Sequence, residues 1–184
     1  MLKTGVVEGE VVMLGLERGL VKLEPFDDKW TQLFDKEREL LFSQLNDLIV
    51  DVQHVGSTSI EGLFAKPIID IAIGVSSFDT IKELKEKIKK LGYVEVPVSI
   101  DGKHVFARYK EKKITHFLHV MMHNHSLWID QISFRDYLRS TPDAKIEYIK
   151  LKEELAMKFP NDVTSYTNEK KKFVDNILKR SKKS

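Results

Sequence analysis

Cysteine is absent from all 184 residues, which excludes a disulfide framework and thiolate metal sites and fits a reducing compartment. No apolar run approaches the length needed to cross a bilayer, and the first residues, MLKTGVVEGE, lack the basic start and long apolar core of a signal peptide. A cytoplasmic protein with no membrane partner is therefore expected. Charge of one sign is also scarce. The 30 Lys and Arg residues against 28 Asp and Glu leave a formal net charge of +2, too little to argue for nucleic acid. An aromatic-basic platform for stacking bases is missing as well. Repeats and low-complexity segments are absent. What is present is 42% apolar and 32% charged residues, the balance of one soluble domain long enough to bury a substantial core.

The most informative stretch is 51–75, DVQHVGSTSIEGLFAKPIIDIAIGV. Its apolar runs at 50–55 and 67–75 read as buried strands by length and Val/Ile content. Between them, Gly56-Ser57-Thr58-Ser59 supplies free backbone N–H groups and hydroxyls just before an expected short helix start at Ile60 or Glu61. Such a turn suits an anion. Asp70 stands in the middle of the second strand, where an ionised carboxylate is costly without a positive partner. A phosphate cradle and a strand carboxylate make chemical sense together if a divalent cation, Mg²⁺ or Mn²⁺, bridges them.

In chain order, residues 1–14 read as an N-terminal extension or disordered arm, and 21–25 as a short edge strand because Pro25 cannot donate to a ladder. Residues 29–48 form an amphipathic helix started by Asp27 or Asp28. Glu37 lies on its apolar stripe; the favoured reading is a stripe-edge carboxylate reaching water, the sharper one a partner for a cation of the C-terminal helices or a pocket lining. A lysine-rich helix at 79–91 comes next, then strands at 93–98 and 104–109 about an Asp101-Gly102 turn, and a strand at 115–122. The remainder is helical: 133–140, a second helix from Thr141-Pro142-Asp143 to about 159, and a last from about 163 to 180, followed by a solvated basic tail. The expected class is α/β (α+β): a mixed sheet over about 20–123 flanked by helices, with a helical C-terminal segment over about 133–180, in a single domain from 15 to 184.

Three segments, HVGSTSIEGLFAKPIIDI at 54–71, FRDYLRSTPDAKIEYIKLKEELA at 134–156 and YTNEKKKFVDNIL at 166–178, resemble the GrpB family, a group placed in the nucleotidyltransferase superfamily. The resemblance spans roughly 15–178 and implies a nucleotidyltransferase-like fold. In active members of that superfamily a Gly-Ser pair holds the triphosphate, and two carboxylates one residue apart hold two Mg²⁺ ions. Gly56-Ser57 matches the pair and Asp70 the first carboxylate, but Ala72 occupies the second carboxylate's place. One carboxylate does not readily hold two metals.

The strand at 115–122 carries no acid and offers His116 and His119 instead, and His54 precedes Gly56 by two residues. A metal set of Asp70, His54 and His119 would favour Mn²⁺ or Zn²⁺ over Mg²⁺, although each histidine taken alone reads as structural. Lys66, part of the family signature, neutralises Asp70, touches a phosphate or is a loop lysine. Arg135 and Arg139, four residues apart on one helix with Asp136 to orient them, suit a polyphosphate. Lys152 shares an apolar stripe with Tyr148, Leu155 and Phe159, and Lys170 one with Tyr166, Phe173 and Ile177. Ammonium groups are costly there, so a basic cleft facing the Gly-Ser turn is expected, with Arg108 as a further candidate.

The expected phosphate ligands are Gly56, Ser57, Thr58, Ser59, Lys66, Arg135, Arg139, Lys152 and Lys170, with Asp70 as the catalytic group; no general base stands out, and Glu37 or His119 would serve only if the fold brings it near. The first functional expectation is transfer of a nucleotide from an NTP with a divalent metal. The second is a nucleotide- or phosphometabolite-binding module without transfer chemistry. The third, from similar domains fused behind dephospho-coenzyme A kinase, is a folding assistant or scaffold with a protein partner.

Overall fold

The computed structural model describes residues 13–98 and 100–182. Residues 1–12 of the expected N-terminal extension lie outside them. Met13 is tied to the domain, its carbonyl accepting from Trp30 Nε1 at 3.2 Å.

The chain runs β1 (Leu16–Glu17), α1 (Lys29–Leu45), β2 (Asp51–Val55), β3 (Ile69–Val75), α2 (Ile81–Lys90), β4 (Tyr93–Val96), β5 (Lys103–Lys110), β6 (Lys113–Met122), α3 (Ser126–Ser140), α4 (Pro142–Lys158) and α5 (Val163–Ser181). The strands form one sheet in the order β2-β3-β6-β5-β4, with β1 paired to the start of β6. Only β3 and β6 run parallel, which the crossover through α2 and the β4–β5 hairpin allows. This is the mixed α/β architecture expected from the strand and helix pattern.

Alternation along β3 divides the molecule. Ile69, Ile71, Ile73 and Val75 face α1 and α2, in a core shared with Leu118, Val120, Phe106, Trp30, Phe34 and Leu41. Asp70, Ala72 and Gly74 face the other way, where Ala72 packs with Val55, Met121 and Trp128. A second core, built from Ile60, Leu63, Leu138, Ala144, Tyr148 and Ile177, joins the loop after β2 to the C-terminal helices. The site therefore lies where the Asp70 face of the sheet meets α3, α4 and α5.

Several expectations need correction. The strand at 21–25 reduces to a single bridge between Glu24 and Ala65. No helix begins at Ile60; a 3₁₀ turn covers Ser57–Ser59 instead. Helix α3 starts seven residues before the expected 133, because Trp128 continues its buried stripe past a turn made by Asn124 at φ +63°. The largest correction concerns Glu37. It is buried and forked by Arg108, whose Nη1 donates to Oε2 at 2.5 Å and Nη2 to Oε1 at 2.8 Å, while the Tyr93 hydroxyl donates at 2.9 Å. Arg108 stands opposite His116 and Tyr93 on the α1 side of the sheet. It is thus unable to join a cleft on the Asp70 side, and Glu37 is equally remote from a role as base there.

Candidate anion site between the Gly-Ser turn and the C-terminal helices

The antiparallel register of β2 and β3 sets Val55 opposite Asp70, so the chain leaving β2 passes directly over that carboxylate. Gly56 takes φ +68° there, and a Cβ on it would stand 2.6 Å from Asp70 Oδ2 and 2.9 Å from Asp70 Cβ. Both the backbone angle and the close approach demand glycine. The turn is then held from within. Ser59 Oγ donates to the Gly56 carbonyl at 2.6 Å, and Thr58 Oγ1 donates to the Ile68 carbonyl at 3.2 Å. With its proton committed, Thr58 accepts from His54 Nε2 at 3.0 Å, which fixes the His54 tautomer.

His54 itself lies on the α1 side, stacked on Phe34 with ring centres 4.7 Å apart. Burial, against the pull of Asp70 and with the help of Arg139 and Arg135, pushes its pKa down to about 3. Burial likewise takes His116, on the same side, down to about 4. The two arginines act from behind the turn. Arg135 donates to Gln53 Oε1 and the His54 carbonyl, both at 2.9 Å, and to Asp136 at 2.7 Å. Arg139 donates to the Ser59 carbonyl through Nε at 3.1 Å and Nη2 at 2.6 Å. They strap α3 to β2 and its turn.

In front of the turn is a cavity of about 240 Å³ whose walls include Gly56, Ser57, Thr58, Lys66, Asp70, Tyr148, Lys152, Tyr166, Thr167 and Lys170. Its lysines rest on aromatic rings. Lys170 Nζ lies 4.3 Å from the Tyr166 ring centre and Lys66 Nζ 5.9 Å from it, while Lys152 Nζ is 5.3 Å from that of Tyr148. Lys152 is 1% exposed and donates to the Phe64 carbonyl. Burial, then the charges of Lys170 and Lys66, hold its ammonium well below the usual lysine range. Burial and Lys66 bring Lys170 down to about 8. Burial raises Tyr148 to about 12, although its hydrogen bond with Ser57 opposes this.

Among the described residues Asp70 is the cavity's only acid. Burial pushes its carboxyl up, but the His119 hydrogen bond and the charges of His119, Lys66 and Lys170 outweigh that and leave it below the usual range. Burial lowers His119, against its hydrogen bond with Asp70; its Nε2 donates to the Asp70 carboxylate oxygen Oδ1 at 3.1 Å, and Nδ1 is buried without a partner among the described residues. On the far side of Asp70 and Gly56 a second cavity, about 350 Å³, is walled mainly by Val55, Leu127, Phe134, Val174 and Leu178, with Lys103, Asp130, Gln131 and His119.

Of the candidate residues, Gly56, Ser57, Thr58, Lys66, Asp70, Lys152 and Lys170 meet around one cavity. His119 backs Asp70, whereas His54, Ser59, Arg135 and Arg139 stand outside, committed to holding the turn. Two residues not singled out as ligands, Tyr148 and Tyr166, complete the walls. Their signal was a Tyr-x-x-x-Lys spacing repeated on α4 and α5, which stacks each lysine one turn above a ring.

The fit of a divalent metal is poor. Among the described residues no three His, Cys, Asp or Glu side chains are gathered closely enough to hold one. The second-carboxylate position is the fully buried methyl of Ala72. The set Asp70, His54 and His119 does not assemble, because alternation along β2 turns His54 to the opposite face.

The mixed sheet with its flanking helices has a nucleotidyltransferase-like fold. A structure of Cid1 poly(U) polymerase with MgGTP bound superposes with a TM-score of 0.50 at 13% identity, over 72% of this chain and 44% of that one; the likeness is one of fold. Within that class, the family described as GrpB protein matches residues 20–180, and this chain belongs to the GrpB family. The glutamate-rich protein GrpB of Alkalihalophilus pseudofirmus is 46% identical over 171 residues, 90% of this chain and 98% of that protein. The crystal structure of GrpB from Enterococcus faecalis superposes with a TM-score of 0.79 at 28% identity, covering 87% of this chain and 96% of that one.

Proposed function

We propose that the protein binds a nucleotide, or another small molecule bearing a polyphosphate, with the phosphates lodged between the Gly56-Ser57 turn and the lysines of α4 and α5. The observation that carries this reading is the meeting of Lys66, Lys152 and Lys170 around one cavity holding a single carboxylate. Three ammonium groups withdrawn from water onto aromatic rings oppose folding unless an anion joins them. Ser57 adds a hydroxyl, and the start of its 3₁₀ turn adds N–H groups with no partner inside the turn. A scaffold for a protein partner has no use for buried lysines, which weighs against that alternative. Nucleotidyl transfer asks for a second carboxylate where Ala72 stands.

Thermal unfolding with each nucleoside triphosphate and with pyrophosphate tests the proposal. A ligand at a hundred times its dissociation constant should stabilise the protein by roughly 2.7 kcal/mol. The shift should vanish in Lys170→Met. Absence of any shift across nucleotides and pyrophosphate, with the wild-type protein folded, would sink the reading.

A further inference from the structure

The geometry points to an anion site that works without a divalent cation: the polyphosphate is held by Lys66, Lys152 and Lys170 directly, and Asp70 offsets part of their charge instead of carrying a metal. This rests on the proposed phosphate cavity and departs from the two-metal arrangement of the fold class. Among the described residues, Lys66, Lys152, Lys170 and Asp70 are the only charged side chains lining the cavity, so three potential cations face one anion. A phosphate-bearing ligand of charge about −2 would balance the excess; a divalent cation would add to it. Asp70 Oδ1 is further committed to His119 Nε2 at 3.1 Å, and its other oxygen lies against Gly56, where even a methyl group would stand at 2.6 Å.

A metal would therefore meet one partly occupied carboxylate, no second acid at Ala72 and several ammonium groups that repel it. The same ammonium groups supply what a metal supplies elsewhere: positive charge at hydrogen-bonding distance from phosphate oxygens. The depressed lysine pKa values fit this arrangement, since an arriving anion raises them and draws in protons. In this description Asp70 is a counter-charge: it offsets part of the lysines' excess in the empty cavity and opposes the ligand's charge.

The two arrangements predict opposite signs for one substitution. Calorimetric titration with sodium pyrophosphate and tripolyphosphate is to be run in EDTA and again in excess Mg²⁺, on the wild-type protein, Asp70→Asn and Lys170→Met. Metal-free binding is expected in EDTA, weakened by Mg²⁺ because the ion masks the same oxygens. Asp70→Asn keeps the shape and removes an opposing charge, and should bind about three- to tenfold tighter. Lys170→Met should bind at least about tenfold more weakly. Heat that differs between buffers of different ionisation enthalpy should report proton uptake near pH 8. Binding that requires Mg²⁺, or that is lost in a folded Asp70→Asn, overturns the inference and leaves the phosphate cavity standing. Failure of the wild-type protein to bind either anion in both media overturns the phosphate cavity itself.

Discussion

Lys170 places its ammonium group over Tyr166, with Lys66 and Lys152 around the same cavity and Asp70 across it, and burial with the charge of Lys66 brings its pKa from an ordinary 10.5 to about 8. The sign of two pH effects follows. For anion binding the charged form is needed, so affinity should hold below about pH 8 and fall above it, by about tenfold per pH unit for each proton the ligand requires. Ionisation of phosphate oxygens only adds negative charge as pH rises, so a fall in affinity is assignable to the protein. For the empty protein the linkage runs the other way. The unfolded chain keeps the Lys170 proton up to 10.5 while the folded one releases it near 8, so this group makes folding more favourable as pH rises through that window. Calorimetry from about pH 6.5 to 9.5 reads the first effect. A flat affinity profile would remove Lys170 from the site.

Whole elements are joined by charge on both faces of the sheet, and the two faces do different things. On the α1 side, Glu37 of α1 is forked by Arg108 of β5 and touched by Tyr93 of β4, which locks the helix across two strands. Arg108 also donates to the Leu91 carbonyl at 3.1 Å, so the C-terminal end of α2 belongs to the same lock. Replacing Glu37 by Gln retains its shape but leaves the guanidinium without a counter-charge, and should cost about 2–4 kcal/mol in urea unfolding. The pair Glu37→Leu with Arg108→Met should recover much of that loss, as apolar replacements of buried ion pairs often do. Pyrophosphate affinity should be unchanged in both, since the lock lies across the sheet from the cavity. A matching loss of affinity would mean that the two faces are coupled. On the other side, Arg135 and Arg139 bind α3 to backbone carbonyls of β2 and its turn. They fix where the turn sits and do not line the cavity.

Across the whole molecule, much of the layout was legible in the sequence. The Val- and Ile-rich runs marked β2 and β3, the resemblance to the GrpB family set the fold, and two lysines on apolar stripes together pointed to a shared cavity, although each alone reads equally as a stripe-edge lysine reaching water. Facing was not legible. Arg135 and Arg139 have the spacing of a phosphate clamp, yet the carbonyls of His54 and Ser59 claim them, and no local pattern announces a tertiary carbonyl. His54 was separated from Asp70 by the parity of β2, which depends on a register set by its pairing with β3. Glu37 and Arg108 are 71 residues apart, beyond any periodicity argument. Whether the 21–25 segment makes a ladder was likewise decided by its neighbours, which grant it one bridge to Ala65.

The lysine cluster has a mechanical consequence. Lys66 belongs to the loop before β3, Lys152 to α4 and Lys170 to α5, so their mutual repulsion acts as a wedge between the sheet and the helical cap, resisted by Asp70 and by the second core around Leu63 and Tyr148. An anion reverses the sign of that force and turns the wedge into a latch. Amide hydrogen exchange should accordingly be faster in α5 than in β3 for the empty protein, and pyrophosphate should slow α5 by about tenfold or more while leaving β3 nearly unchanged. Equal slowing in both would show a rigid body that the ligand merely stabilises. In the latch case, occupancy of a cavity of about 240 Å³ would be reported along the whole length of the C-terminal helix as a change in its stiffness.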